Sequence, residues 1–113
     1  MSYHVYVVEL SKRVWQDNWR FREKNPQFNP VLECLYVGMS SKPPKIRFEQ
    51  HKTRYKSKKG AVISSYFVEK YGLYLRPSLY KNYNPITSRS AALAKEKELT
   101  RLLRQKRYAV WSN

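Results

Sequence analysis

Two stretches of the chain are apolar at almost every position, a pattern typical of strands that are buried on both faces. They run from Tyr3 to Leu10 and from Val31 to Gly38, and both are rich in β-branched and aromatic residues. The segment between them, residues 11–30, mixes prolines, asparagines and charged residues with tryptophans. We therefore predict an antiparallel pair of strands, joined by a long insert that leaves the sheet and holds one irregular helical turn.

A helix is predicted directly after the second strand. Ser40 or Ser41 can cap it and the prolines that follow suit a first turn, so it should extend over residues 44–54. Within it, Arg47 and His51 are four residues apart and therefore lie on the same face.

The next segment combines a second helix with a short third strand. The helix is predicted over residues 61–71, with Val62, Tyr66 and Phe67 on one face. The strand follows over Leu73–Pro77, where the proline suits a strand end.

The last helix has the clearest pattern and is predicted from about Ser90 to Lys106. Four positions recur at the spacing of one helix face, and one of them is Glu96. The other three are apolar: Ala92, Leu99 and Leu103. Glu98 lies about 200 degrees around the helix from Glu96, so the two carboxylates cannot both face the core.

Together these elements predict an α/β (α+β) fold, with a small central antiparallel three-stranded sheet flanked by helices. Residues 1–113 are expected to form one domain, in which 11–30 is an insert between the first two strands. The closing residues, 108–113, form a short β-like stretch that can dock beside the sheet.

The net charge of the chain indicates which class of partner it binds. The 113 residues include 23 Lys and Arg against 8 Asp and Glu, a net charge of +15, and 15% of them are aromatic. The aromatic content excludes a disordered basic tail, because such tails have few groups to bury. A surplus of positive charge this large indicates a polyanionic partner, and nucleic acid is favoured over an anionic membrane.

Other sequence features exclude several further classes. Cys34 is the single cysteine, which excludes an internal disulfide and any multi-cysteine zinc site. No apolar run is long enough to cross a bilayer, and the first residues lack the basic lead and cleavage site of a signal peptide. We therefore expect a cytoplasmic protein that is neither secreted nor embedded in a membrane.

Acidic residues are too few for paired-carboxylate metal chemistry. Asp17 is the only aspartate and the glutamates are scattered, so a two-metal nuclease site has almost no material. Glu96 stands out because a carboxylate in an apolar stripe costs several kcal/mol unless it has a partner. That partner is either a metal ion or, in a purely structural role, Arg47 or a nearby lysine.

Basic residues concentrate after the Arg47 helix, and they either track phosphates or form a solvated face. We predict that they contact nucleic acid. Together with one lysine from within the Arg47 helix, the set is Lys45, Lys52, Arg54, Lys56, Lys58 and Lys59.

Trp15 and Trp19, in the insert, either stack on bases or anchor the insert onto its own domain, and we favour the anchoring role.

The order of these residues resembles the GIY-YIG nuclease superfamily over nearly the whole chain. His4-Val5-Tyr6 stands at the position of the first triplet and Tyr36-Val37-Gly38 at that of the second. Arg47 and His51 match the arginine and histidine of the following helix, and Glu96 matches the metal-binding glutamate. The chain departs from the family in two ways: His4 replaces a glycine, and the two tyrosines are 30 positions apart (36 minus 6) where a tight hairpin is usual.

The resemblance implies a catalytic set of Tyr6, Tyr36, Arg47, His51 and Glu96. It implies that Glu96 holds a single Mg²⁺ or Mn²⁺ with water and the scissile phosphate, which suits a hard, oxygen-seeking cation. Tyr6 would deprotonate the attacking water and Arg47 would stabilise the charge on the phosphate. Tyr36 and His51 would orient water or phosphate, and either would share the proton transfer. Three further candidates are Gly38, Glu98 as a rival metal ligand, and the terminal Asn113.

Two functions from different classes follow. The first is a metal-dependent endonuclease that cleaves nucleic acid, with DNA favoured over RNA. The alternative is a non-catalytic DNA- or RNA-binding module on the same scaffold. Since no separate specificity module is visible, a second copy of the chain or an accessory specificity protein is a candidate partner. A basic protein that binds acidic partners or ribosomal RNA would leave Glu96 unexplained.

Overall fold

A computed structural model of the protein describes residues 2–53 and 65–112. Its centre is a sheet of four strands, which lie in the order β3-β1-β2-β4. The strands are β1 (His4–Leu10), β2 (Cys34–Ser40), β3 (Gly72–Leu75) and β4 (Ala109–Ser112). The described residues also form five α-helices: α1 (Arg13–Asp17), α2 (Trp19–Lys24), α3 (Pro44–Lys52), α4 (Tyr66–Tyr71) and α5 (Arg89–Gln105).

The sheet confirms an α+β fold but corrects the predicted three-stranded antiparallel sheet. β1 pairs antiparallel with both β2 and β3, as expected, whereas β4 pairs parallel with β2. The chain reaches that position because α5 carries it back along the sheet and a turn at Arg107, with φ of 78°, reverses its direction. The β-like stretch predicted over residues 108–113 is confirmed as a strand beside the sheet. Its parallel direction has no signal in four residues, since only the neighbouring strand supplies the hydrogen bonds.

The helices follow the predicted order with three corrections. The insert holds two short helices, α1 and α2, instead of one irregular turn. The helix predicted over residues 61–71 starts at Tyr66, because Ser65 before it is extended, and residues 61–64 lie outside the described part of the chain. In α4, Phe67 and Val68 are buried, but Tyr66 is 58% exposed and its ring faces the ammonium of Lys70. The shared face predicted for Tyr66 and Phe67 is therefore wrong, since neighbouring residues on a helix point about 100 degrees apart. Val62, the third member of that face, lies outside the described residues.

The periodicity of α5 is confirmed. The side chain of Ser88 caps its first turn by accepting a hydrogen bond from the N–H of Ala91. The four residues of the predicted stripe are all buried: Ala92, Glu96, Leu99 and Leu103. This face packs against β1, β2 and β4.

An aromatic cluster anchors the insert to the rest of the fold. The Trp15 ring lies 4.6 Å from that of Phe28 and edge-on to Phe21, which in turn contacts Phe67 and Trp111. The anchoring role favoured for both tryptophans is right for Trp15. It is wrong for Trp19, which is 60% exposed with the guanidinium of Arg20 over its ring.

The edge of β1 that β3 leaves uncovered is completed by a loop. The side chain of Asn84 exchanges two hydrogen bonds with the backbone of Val5, donating to its carbonyl and accepting from its N–H. Tyr3 and Ile86 add a bridge of two backbone hydrogen bonds. These contacts fix the half of β1 that carries Tyr6.

Within the described part of the chain, no helix combines the length and the apolar character that crossing a bilayer requires.

Asn25 is a buried polar junction that the sequence pattern did not reveal. Its Oδ1 accepts hydrogen bonds from the N–H of Val110 in β4, from Arg104 in α5 and from Gln27. Its Nδ2 donates to the carbonyl of Phe21. One side chain therefore ties α2, α5 and β4 together.

We expect Asn25→Ala to lower the free energy of unfolding by about 2–4 kcal/mol, because the buried N–H of Val110 loses its acceptor. Urea denaturation followed by tryptophan fluorescence measures the change. Asn82→Ala, at an exposed position, is the matched control and should stay within about 0.5 kcal/mol of wild type. Equal stability of the two variants would contradict a junction role for Asn25.

Candidate active site

The register of β1 and β2 brings the two predicted triplets together. Tyr6 lies directly opposite Gly38, and Val8 lies opposite Tyr36. Because alternate residues of a strand share a face, Tyr6, Tyr36 and Gly38 are on the same side of the sheet. The long insert leaves this register intact, since it connects the end of β1 to the start of β2 and interrupts neither strand.

Gly38 has a steric role in this arrangement. A Cβ built on Gly38 would lie 2.5 Å from both Cζ and Oη of Tyr6, and 3.0 Å from a ring carbon of Tyr36. Contacts this short are repulsive, so any side chain at this position would displace the Tyr6 hydroxyl. The glycine is what allows the phenol to lie across β2.

Three rings form the centre of the site. The ring of Tyr6 lies 6.3 Å from that of Tyr36 and 6.0 Å from that of His51, and the last two are 5.9 Å apart. All three residues are almost completely buried. α3 supplies His51 from its last turn, as the spacing of Arg47 and His51 predicted.

His51 is held in one tautomer. Its Nδ1 accepts a hydrogen bond of 2.7 Å from the backbone N–H of Ser65, which can only donate. The proton of the neutral ring is therefore on Nε2, which donates to Oη of Tyr6 over 2.8 Å. Burial, and then the charge of Arg47, lower the pKa of His51 to about 4, so the ring is neutral at pH 7.

This geometry gives His51 a different role from proton acceptor. Both ring nitrogens are engaged, so neither offers a free lone pair to the Tyr6 proton. His51 instead donates to the Tyr6 oxygen and favours its ionised form. The backbone of Ser65 had no signal in the sequence, because it reaches His51 only through the fold.

Tyr6 experiences opposing influences on its ionisation. Burial raises its pKa most, followed by the neighbouring Tyr36, and the charge of Glu96 adds to the rise. The guanidinium of Arg47 lowers the pKa by its charge and by a hydrogen bond. Tyr6 therefore lies within interaction range of four members of the predicted set, which come from β2, α3 and α5.

Glu96 is the buried acid of the site. The residue is 4% exposed, and burial raises the pKa of its carboxyl to about 7, an effect that Lys97 partly offsets. No described group donates a hydrogen bond to this carboxylate or forms an ion pair with it. Its oxygens are nevertheless not among the fully buried polar atoms that lack a hydrogen-bond partner. The carboxylate tip therefore retains contact with solvent.

Glu98 has a different environment. Its side chain is 50% exposed, and its carboxylate lies 3.4 Å from the ammonium of Lys95. The helix places it away from the face that carries Glu96, as the angular spacing predicted. Of the two carboxylates, the one on Glu96 is buried on the face of α5 that packs against the sheet, and the one on Glu98 is not.

The residues predicted to contact nucleic acid differ in their surroundings. Lys45 is exposed in the first turn of α3. Lys52 is engaged within the fold, because its ammonium donates to the carbonyl of Gly72 over 2.8 Å and thereby ties α3 to the α4–β3 junction. Outside the described residues lie the remaining candidates: Arg54, Lys56, Lys58, Lys59 and Asn113.

Any metal ion here would have one protein carboxylate. The described residues contain no group of three or more His, Cys, Asp or Glu side chains able to hold an ion. The carboxylate of Glu96 nevertheless fits a hard divalent cation such as Mg²⁺ or Mn²⁺, which takes oxygen ligands and keeps several waters. A nearby positive charge would also relieve the cost of ionising this buried acid.

No family model, curated protein or solved structure matches this chain. The GIY-YIG resemblance therefore stays a prediction from the residues and their spacing.

Glu96 generates a pH-dependent prediction for the metal-free protein. Because its folded pKa of about 7 lies above the ordinary 4.5, the unfolded chain releases this proton first as pH rises. The contribution of protonated Glu96 to the free energy of unfolding is therefore complete below pH 4.5 and is lost as the pH rises to about 7. We expect Glu96→Gln to be more stable than wild type by about 2–3 kcal/mol at pH 8, and the gap to close toward pH 4.5.

Urea denaturation in EDTA at the two pH values measures this gap. Glu98→Gln changes the same functional group at an exposed position and should stay within about 0.5 kcal/mol of wild type at both. A difference between wild type and Glu96→Gln that does not change with pH would show that the carboxyl is not desolvated.

Proposed function

We propose that the protein is a metal-dependent endonuclease that hydrolyses phosphodiester bonds in nucleic acid, with DNA as the first candidate. The observation that carries the proposal is the convergence of two donors, His51 and Arg47, on the hydroxyl of Tyr6, beside a carboxylate that has no described partner. A structural cluster would be expected to pair this carboxylate, because an unpartnered acid in a core is costly. The net charge of +15 supports a polyanionic substrate.

Tyr6 is assigned as the base. Its oxygen accepts hydrogen bonds from His51 and from Arg47, and both donors stabilise the phenolate over the phenol. A divalent ion on Glu96 would supply the positive charge that favours ionisation of an attacking water and of Tyr6. Once Tyr6 has released its own proton to solvent, its phenolate takes one proton from that water as the water oxygen forms a bond to phosphorus.

Arg47 is assigned to the phosphate. Its guanidinium carries the charge and the donors needed by the non-bridging oxygens as negative charge accumulates on them. The bond to the leaving oxygen then breaks, and that oxygen takes a proton from solvent. Tyr36, whose ring lies beside both Tyr6 and His51, keeps the phenol in place.

The alternative is a DNA- or RNA-binding module without catalysis. The observation in its favour is the near-complete burial of Tyr6, which raises the pKa of the hydroxyl and opposes a role as base. In this case Arg47 and the surrounding cations would bind a phosphate that is not cleaved. The two functions differ in whether cleavage accompanies binding.

The first test is nicking of supercoiled plasmid with Mg²⁺ or Mn²⁺. We expect Glu96→Gln to lower the nicking rate at least about 100-fold while plasmid binding persists, because the site loses the one carboxylate that its described residues supply. Glu98→Gln is the control and should cleave like wild type. Salt-sensitive binding without cleavage by wild type under either metal would support the binding module instead.

The second test concerns the base. Tyr6→Phe keeps the ring against Gly38 but removes the hydroxyl, so we expect cleavage to fall about 10²–10⁴-fold with folding retained. Tyr80→Phe removes a hydroxyl from another buried tyrosine and serves as the control. Circular dichroism confirms that both variants fold. Unchanged cleavage by Tyr6→Phe would contradict the assigned role.

A further inference from the structure

A cleft adjoins the candidate site on the side of Arg47. It has a volume of about 400 Å³ and lies between the end of β2, the start of α3 and the first residue of α5. Six of the residues that line it matter here: Tyr3, Ser40, Lys42, Arg47, Gln50 and Arg89. Arg47 belongs both to this cleft and to the Tyr6 cluster.

The charge of the cleft suits an anion. Lys42, Arg47 and Arg89 contribute three cationic side chains, and no acidic residue is among the described residues that line the cleft. α3 and α5 both begin at its border, and neither has an acid in its described first turn. Arg89 is the first residue of α5, at the end of a helix where a cation is disfavoured, so the helix itself does not explain it.

The size and the mixed lining suit a single nucleotide. A volume of 400 Å³ is at the small end of ligand sites, which span roughly 300–1,000 Å³. The Tyr3 ring offers an aromatic surface, whereas Ser40 and Gln50 offer donors and acceptors for a base or sugar. A cleft of this volume accommodates one nucleotide more readily than a base pair with both of its sugars.

We infer that this cleft is a subsite for one unpaired nucleotide next to the scissile phosphate, with Arg89 and Lys42 on the adjoining phosphate. The inference rests on the proposed function for the position of the scissile phosphate at Arg47. A nucleic-acid strand whose scissile phosphate lies at Arg47 continues into the cleft, because Arg47 borders both the cleft and the Tyr6 cluster. Substrates with an unpaired nucleotide at the cut, such as a single strand or a flap, should therefore bind more tightly than a matched duplex.

The test is a binding measurement that needs no cleavage. Fluorescence anisotropy of a labelled single-stranded oligonucleotide, and of a duplex of the same length, is recorded in EDTA between 50 and 200 mM salt. We expect Arg89→Ala to weaken single-strand binding roughly fivefold at low salt and to reduce the log–log salt slope by about 0.7. Lys42→Ala should behave in the same way.

Arg101→Ala is the matched control. Arg101 is exposed on α5 like Arg89, but it is 12 residues away (101 minus 89), roughly 18 Å along the helix, and does not line the cleft. Both variants remove the same charge from an exposed position of the same helix. Equal losses for Arg89→Ala and Arg101→Ala would overturn the subsite, and tighter binding of the duplex would overturn the unpaired nucleotide.

Failure of this inference is distinguishable from failure of the proposed function. If wild type binds single strands through Arg89 and Lys42 but cleaves nothing with either metal, the subsite stands and the enzyme proposal fails. If wild type cleaves and Arg89→Ala binds like Arg101→Ala, the enzyme proposal stands and the subsite is overturned.

Discussion

The antiparallel register of β1 and β2 is the constraint on which the rest of the site depends. It places Tyr6 directly over Gly38 and on the same face as Tyr36. A slip of one residue would turn the Tyr6 ring to the other face of the sheet and away from His51. Because the insert packs through its own aromatic cluster, the long connection between the strands does not disturb this register.

Near the paired strands β1 and β2, the apolar interior contains two titratable side chains, His51 and Glu96, whose surroundings differ. His51 remains neutral because burial disfavours its charge, and both of its nitrogens are hydrogen-bonded. Glu96 has no such partners among the residues that the structure describes, and it retains its charge at neutral pH only at a cost in stability. The contrast separates a satisfied polar network, typical of structure, from an incomplete one, typical of a site that binds a ligand.

Elements of the site that depend on local periodicity were predictable. Arg47 and His51 share a face because four residues make about one helical turn, and Glu96 is buried because it repeats with the apolar positions of α5. The contribution of Ser65 to His51 was not predictable, because a backbone N–H has no sequence signal. The presence of Arg89 and Arg47 in one cleft was equally hidden, since 42 residues of chain (89 minus 47) separate them.

The sequence by itself therefore determined the α+β class, the pairing of the two long strands and the burial of Glu96 in preference to Glu98. Each of these follows from the pattern of apolar residues within single segments and from the order of those segments along the chain, because burial of apolar surface dominates. The tertiary structure alone decided the parallel fourth strand, the junction at Asn25, the tautomer of His51 and the cleft that ends at Arg89. These depend on hydrogen bonds and charges between distant segments, and such contacts exist only once the sheet has brought those segments together.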